Sequence, residues 1–202
     1  MVLLSLLPLA AIIAAEAPAV RELPRPAPAR FVSTDYALTF RTPAGSTYCP
    51  LPADFVGSYH GTTFFLTPQR QCGYAIGARI SVGYGLWFSP AEMPRDPCNQ
   101  AGTIRVFGKD RPLCRREESG MIVLEASARY SSKGARRAGE REAYVSLVTT
   151  PERLEADLAR LRATAASLSV CRSVVHSNYE DGSPAKPYVT GYGPPCPPSV
   201  PL

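Results

Sequence analysis

The sequence predicts an α+β domain, an antiparallel β-sheet of about six strands packed by a C-terminal amphipathic helix and stapled by disulfides. Three observations predict it. Apolar runs with a period of two dominate residues 35 to 149, one run after Thr150 switches to the helical period, and six cysteines are spread from Cys49 to Cys196.

The first strand is residues 35 to 42, DYALTFRT. Tyr36, Leu38 and Phe40 alternate with Thr39 and Arg41, and the run stops at Pro43-Ala44-Gly45, which is turn chemistry. Similar runs follow at Thr62 to Leu66, at Tyr74 to Tyr84 with breaks at Gly77 and Gly83, at Thr103 to Phe107, at Met121 to Tyr130 and at Glu142 to Thr149. The last two are joined by SSKGARRAGER, so they predict a long antiparallel hairpin with a cationic tip. From Thr150 the segment TPERLEADLARLRATAASL places Leu154, Leu158, Leu161, Ala165 and Leu168 on one stripe of a helix. Pro151 suits its first turn, Thr150 is the expected cap, and Glu152 and Glu155 complement the positive helix end. Glu155, Arg160 and Arg162 are left for water.

The ends read differently. Residues 1–19 resemble a signal peptide: the apolar run Val2 to Ala15 is shorter than the ~20 residues a membrane span needs and is interrupted by Ser5 and Pro8. Small residues at Ala15, Ala17 and Ala19 offer cleavage points, and cleavage is expected after Ala15 or Ala19. Only the terminal amine supplies charge ahead of the apolar core, since the first basic residue is Arg21. Residues 20–30 are a Pro/Ala-rich linker, 31–176 the α+β domain and 177–202 a tail with seven prolines, expected to be disordered. A cleaved leader with an even cysteine count places the protein in the periplasm or outside the cell, without a transmembrane anchor. Six cysteines allow fifteen pairings. Pairing between sequence neighbours, Cys49 with Cys72, Cys98 with Cys114 and Cys171 with Cys196, is preferred because each bridge closes one loop, although Cys196 could also pair between chains or stay free.

No stretch carries a catalytic, cofactor or nucleotide signature. His60, with Ser58 two residues before it and Asp54 six before, supplies base, nucleophile and orienter types. Residues so close in sequence seldom converge in one catalytic geometry, and there is no G-x-S-x-G elbow. A metal is not expected either, because His60 and His176 are not at ligand spacing and no C-x-x-C occurs. The formal net charge is +5, and nineteen of the twenty-two basic residues are arginine. Arg115-Arg116 is one cluster; Lys133, Arg136, Arg137 and Arg141 form another at the hairpin, a patch suited to an anionic partner. Nucleic acid is not an expected partner of an exported chain. Trp87, in YGLWFSP, offers an aromatic binding surface or else a plug in the core.

The segments YCPLPADFVGSYHGTTFFL and PERLEADLARLRATAASLSVC are similar to small exported proteobacterial proteins of unknown function. A first strand ending in T-P-x-G, a meander, and a late amphipathic helix before a closing strand also resemble PsbP-like α/β/α folds. Neither resemblance implies functional residues. The expected role is non-enzymatic binding of a protein partner or an anionic component of the cell envelope. The alternative is a hydrolase-type enzyme using His60 with Ser58 or Asp54.

Overall fold

A computed structural model describes residues 23–33, 36–49, 59–70, 72, 77–86, 98–131, 140–175, 188–190 and 193–198. Its strands are β1 (Arg25–Pro26), β2 (Arg30–Ser33), β3 (Leu38–Arg41), β4 (Thr47–Tyr48), β5 (Tyr59–Phe65), β6 (Arg79–Leu86), β7 (Gln100–Val106), β8 (Lys109–Glu118), β9 (Met121–Ser131) and β10 (Glu140–Thr149). A 3-10 turn at Pro151–Arg153 then leads into helix α1 (Leu154–Ala166), followed by β11 (Ser169–Val170), β12 (Ser173–Val175) and β13 (Tyr188–Thr190).

The main sheet has eight strands in the order β1-β4-β5-β6-β10-β9-β8-β7, two more than the sequence suggests. A second sheet is β11-β3-β2, and β12 pairs with β13. The expected strand at residues 35 to 42 therefore exists, shortened to Leu38–Arg41, but in the smaller sheet. The main strand that the apolar pattern misses is β8, KDRPLCRREE. Its order comes from its neighbours: it is hairpinned to β7 on one side and to β9 on the other, where the ladder runs from Cys114 to Glu118 and stops short of Pro112. Both hairpins close through two residues with positive φ, Phe107-Gly108 (49° and 72°) and Ser119-Gly120 (50° and 76°), the backbone of a type I′ turn.

β9 and β10 form the long antiparallel hairpin expected, in register from Ile122–Thr149 to Ser131–Glu140. Alternation divides its faces. Arg141, Ala143, Val145, Leu147 and Thr149 are buried on one side together with Ile80, Val82 and Tyr84 of β6 and Ile122, Leu124, Ala126, Ala128 and Tyr130 of β9. α1 and the β11-β3-β2 sheet cover that side, the helix lying against β10, β7 and β3. Leu161, Ala165 and Leu168 are buried, while Leu154 and Leu158 pack on the core from its margin. Phe31, Phe40 and Phe64 join the two sheets: the Phe31 and Phe40 rings stack at 5.1 Å, and Phe64 meets Phe40 edge-on at 5.9 Å. Fully burying one such side chain contributes about 1.5–3 kcal/mol.

The helix start differs from the sequence reading. Thr150 makes no side-chain cap; its carbonyl accepts from the Arg153 amide at 3.2 Å. The start is held instead through Asp157, which is 1 % exposed: its carboxylate accepts from the Thr149 hydroxyl at 2.7 Å and from Arg153 at 3.0 and 3.1 Å, and Arg160 lies 3.5 Å away. Arg153 also donates to the Leu66 carbonyl at 3.3 Å. One carboxylate thus ties α1 to β10 and, through Arg153, to the end of β5.

All three neighbour disulfides form. Cys49–Cys72 joins the end of β4 to the β5–β6 connection, Cys98–Cys114 ties the entry of β7 to β8, and Cys171–Cys196 holds the C-terminal segment beside β11. That last staple is accompanied by backbone hydrogen bonds from Arg172 to Pro194 (2.8 Å) and from Cys196 to Arg172 (2.7 Å). At the other end, Arg25–Pro26 pairs with Thr47–Tyr48.

Candidate functional site

Antiparallel pairing in the order β5-β6-β10-β9 brings four chain positions to one end of the main sheet: the start of β5 at Tyr59, the end of β6 at Leu86, the end of β9 at Ser131 and the start of β10 at Glu140. His60 belongs to this end, its backbone opposite Tyr84 in the β5–β6 ladder. Ser58, Asp54, Trp87, Lys133, Arg136 and Arg137 lie outside the described residues.

Arg141 is the described member of the basic cluster. It is 7 % exposed, not part of an open tip, because it is the first core-facing residue of β10 and stands opposite Tyr130 in β9. Its guanidinium carbon lies 4.8 Å from the centre of the Tyr36 ring, a cation–π contact worth about 2 kcal/mol in a desolvated setting. Tyr36 in turn packs on Tyr84 at 5.0 Å, and Tyr130 packs on Phe107 at 5.0 Å. The Tyr130 hydroxyl donates to the Tyr36 carbonyl at 3.1 Å. That carbonyl is presented by a tight turn whose next residue, Ala37, has φ 54°.

Three tyrosines and one arginine therefore close this end of the core. Burial pushes the Tyr130 hydroxyl well above its ordinary range, against the charge and hydrogen bond of Arg141, which lower it. The phenol stays protonated at neutral pH and serves as a donor. The cluster can hold a buried cation and fix the base of the β9–β10 hairpin.

The opposite face of the same strands is built around glycine. A Cβ on Gly83 would sit 2.0 Å from the Tyr144 ring, so the ring lies flat on this glycine from the neighbouring strand. Burial, with the Glu125 charge second, raises the Tyr144 hydroxyl too. Glu142, 4 % exposed, is opposite Gly85 on one side and Arg129 on the other. Farther along, Arg116 ion-pairs with Glu125 and Glu118, which raise its pKa, and Arg115 pairs with Glu117 at 2.8 Å. The Arg115-Arg116 cluster is thus largely neutralised by its own carboxylates.

Sequence reasoning did not find Tyr36, Tyr84 and Tyr130 as a group, although each occupies a core-facing position of a period-two run or the turn beside one. Among the described residues no three His, Cys, Asp or Glu side chains gather into a possible metal site. No described helix is long and apolar enough to cross a membrane. No protein family, characterised protein or solved structure matches the chain.

Proposed function

We propose that this protein is exported and works in the cell envelope, periplasmic or secreted, as a non-enzymatic binding protein for a protein partner or an anionic envelope component. The observation that carries the reading is that every cysteine of the chain is spent on a structural disulfide, which persists only in an oxidising compartment. The arginine excess supports an anionic partner, since guanidinium groups match carboxylate and phosphate oxygens in pairs. On this reading Lys133, Arg136 and Arg137 supply the charge, Arg141 anchors the β9–β10 hairpin, and Trp87 supplies an aromatic binding group.

Co-sedimentation of the mature, oxidised protein with phosphatidylglycerol vesicles and with phosphatidylcholine vesicles tests the anionic arm. Binding to the anionic vesicles alone, falling as salt rises from 0.05 to about 0.5 M and reduced by R136S/R137S, is the expected result, because screening shortens the reach of exposed charge. Equal adsorption to both vesicles, or indifference to salt, contradicts it.

A further inference from the structure

Arg30 in β2 and Arg41 in β3 stand directly opposite one another. The ladder's phase fixes how close they are. The Thr42 amide donates to the Ala29 carbonyl at 3.3 Å, so residues 29 and 42 are the hydrogen-bonded pair, and the Arg41 amide turns the other way, to the Ser167 hydroxyl at 2.8 Å. Arg30 and Arg41 are therefore a non-hydrogen-bonded pair, the spacing at which facing side chains approach most closely, with Cα atoms about 4.5 Å apart. Both side chains are exposed on the side of the small sheet away from Phe31 and Phe40. Like charges in this relation repel and weaken a sheet, and among the described residues neither guanidinium is given a carboxylate. Arg115 and Arg116, on a strand where carboxylates are available, are paired. Arg30 and Arg41 are set apart by facing each other across a ladder with no carboxylate between them among the described residues.

We propose that Arg30 and Arg41 form a two-armed clamp for a tetrahedral oxyanion, a phosphate carried free or on a lipid headgroup. Each planar fork can give two parallel N–H donors to one oxyanion, and an anion between them turns the repulsion into two attractions. The position is stiff. β3 is held on both sides, by β2 and by β11, and Ser167, which fixes the Arg41 amide, is itself anchored by donating to the Thr164 carbonyl at 2.7 Å. The clamp deepens the binding reading by placing an anion site on the small sheet, away from the β9–β10 hairpin end.

The test is titration of the oxidised mature protein with inorganic phosphate, followed by the arginine Nε–H resonances, beside co-sedimentation with phosphatidylglycerol vesicles. Shifts confined to Arg30 and Arg41, and an affinity reduced roughly tenfold by either R30Q or R41Q, are expected, since one charge-assisted fork is lost in each. R41K should also weaken binding, keeping the charge but losing the fork. A free-phosphate ligand shows in the titration, whereas a headgroup shows as vesicle binding lost in R30Q/R41Q with weak phosphate shifts. Phosphate shifts spread over many arginines, or vesicle binding unchanged in R30Q/R41Q but lost in R136S/R137S, overturns the clamp and leaves the general reading standing. No response to phosphate or vesicles overturns the clamp and the anionic arm of the binding reading together. The variants should keep wild-type thermal stability or exceed it, because they remove a repulsion.

Discussion

Asp157 shows how one side chain can decide where a helix begins. It lies three residues after Leu154 and four before Leu161, on the core-facing side of the helix, and there it receives Thr149 and Arg153. Truncating it removes the acceptor of the buried Thr149 hydroxyl and of two Arg153 donors, so Asp157→Ala should lower stability by about 2 kcal/mol. Asp157→Asn keeps one acceptor and should cost less. Urea unfolding of the two variants measures this. Tyr130 sets a second expectation at the same scale. Its folded pKa lies above the unfolded value near 10, so the stability it contributes is complete below pH ~10 and is lost as pH rises through the folded value. Alkaline unfolding should therefore begin above pH ~10 and set in later for Tyr130→Phe, which has no proton to lose. Ultraviolet titration of the phenolates should find late-ionising groups in the wild type.

At the scale of elements, strength of local period separates what is legible in the sequence from what is not. β9 and β10 alternate along most of their length because one face is core, although Val123, Glu142 and Ser146 of the other face are buried too, and α1 carries a single apolar stripe; both elements follow from the residues alone. β8 does not, because it is charged at most positions and depends on pairing to two neighbours and on the Cys98–Cys114 staple. Its turns contain Phe-Gly and Ser-Gly, weaker signals than Asn-Gly, although the glycines supply the backbone required. Gly77 turns with φ 81° just before β6, which begins at Arg79. The site follows the same division. Arg141 is visible as a charge, but its burial under Tyr36 depends on a contact more than a hundred residues away in sequence, which no local pattern encodes. The staples join elements that local patterns leave separate. Cys49→Ser/Cys72→Ser should cost roughly 3 kcal/mol through a looser unfolded chain, and calorimetry should find the domain still folded, since the main sheet's core does not pass through that bridge.

For the whole molecule, the main sheet, the β11-β3-β2 sheet and α1 share one core, and the start of β5 and the end of β9 lie at the same end of the main sheet. Disulfides close the margins of that body: near β4, near β7 and beside β11. The proposed role requires export in the oxidised form, since an oxidising compartment preserves the three staples. Non-reducing peptide mapping of the protein recovered from its native compartment, with sequencing of its N-terminus, tests this most directly. A mature start between Glu16 and Arg21, with Cys49–Cys72, Cys98–Cys114 and Cys171–Cys196 as the cross-linked pairs, is the predicted result; Met1 retained on a cytoplasmic protein with free thiols at these positions would contradict it.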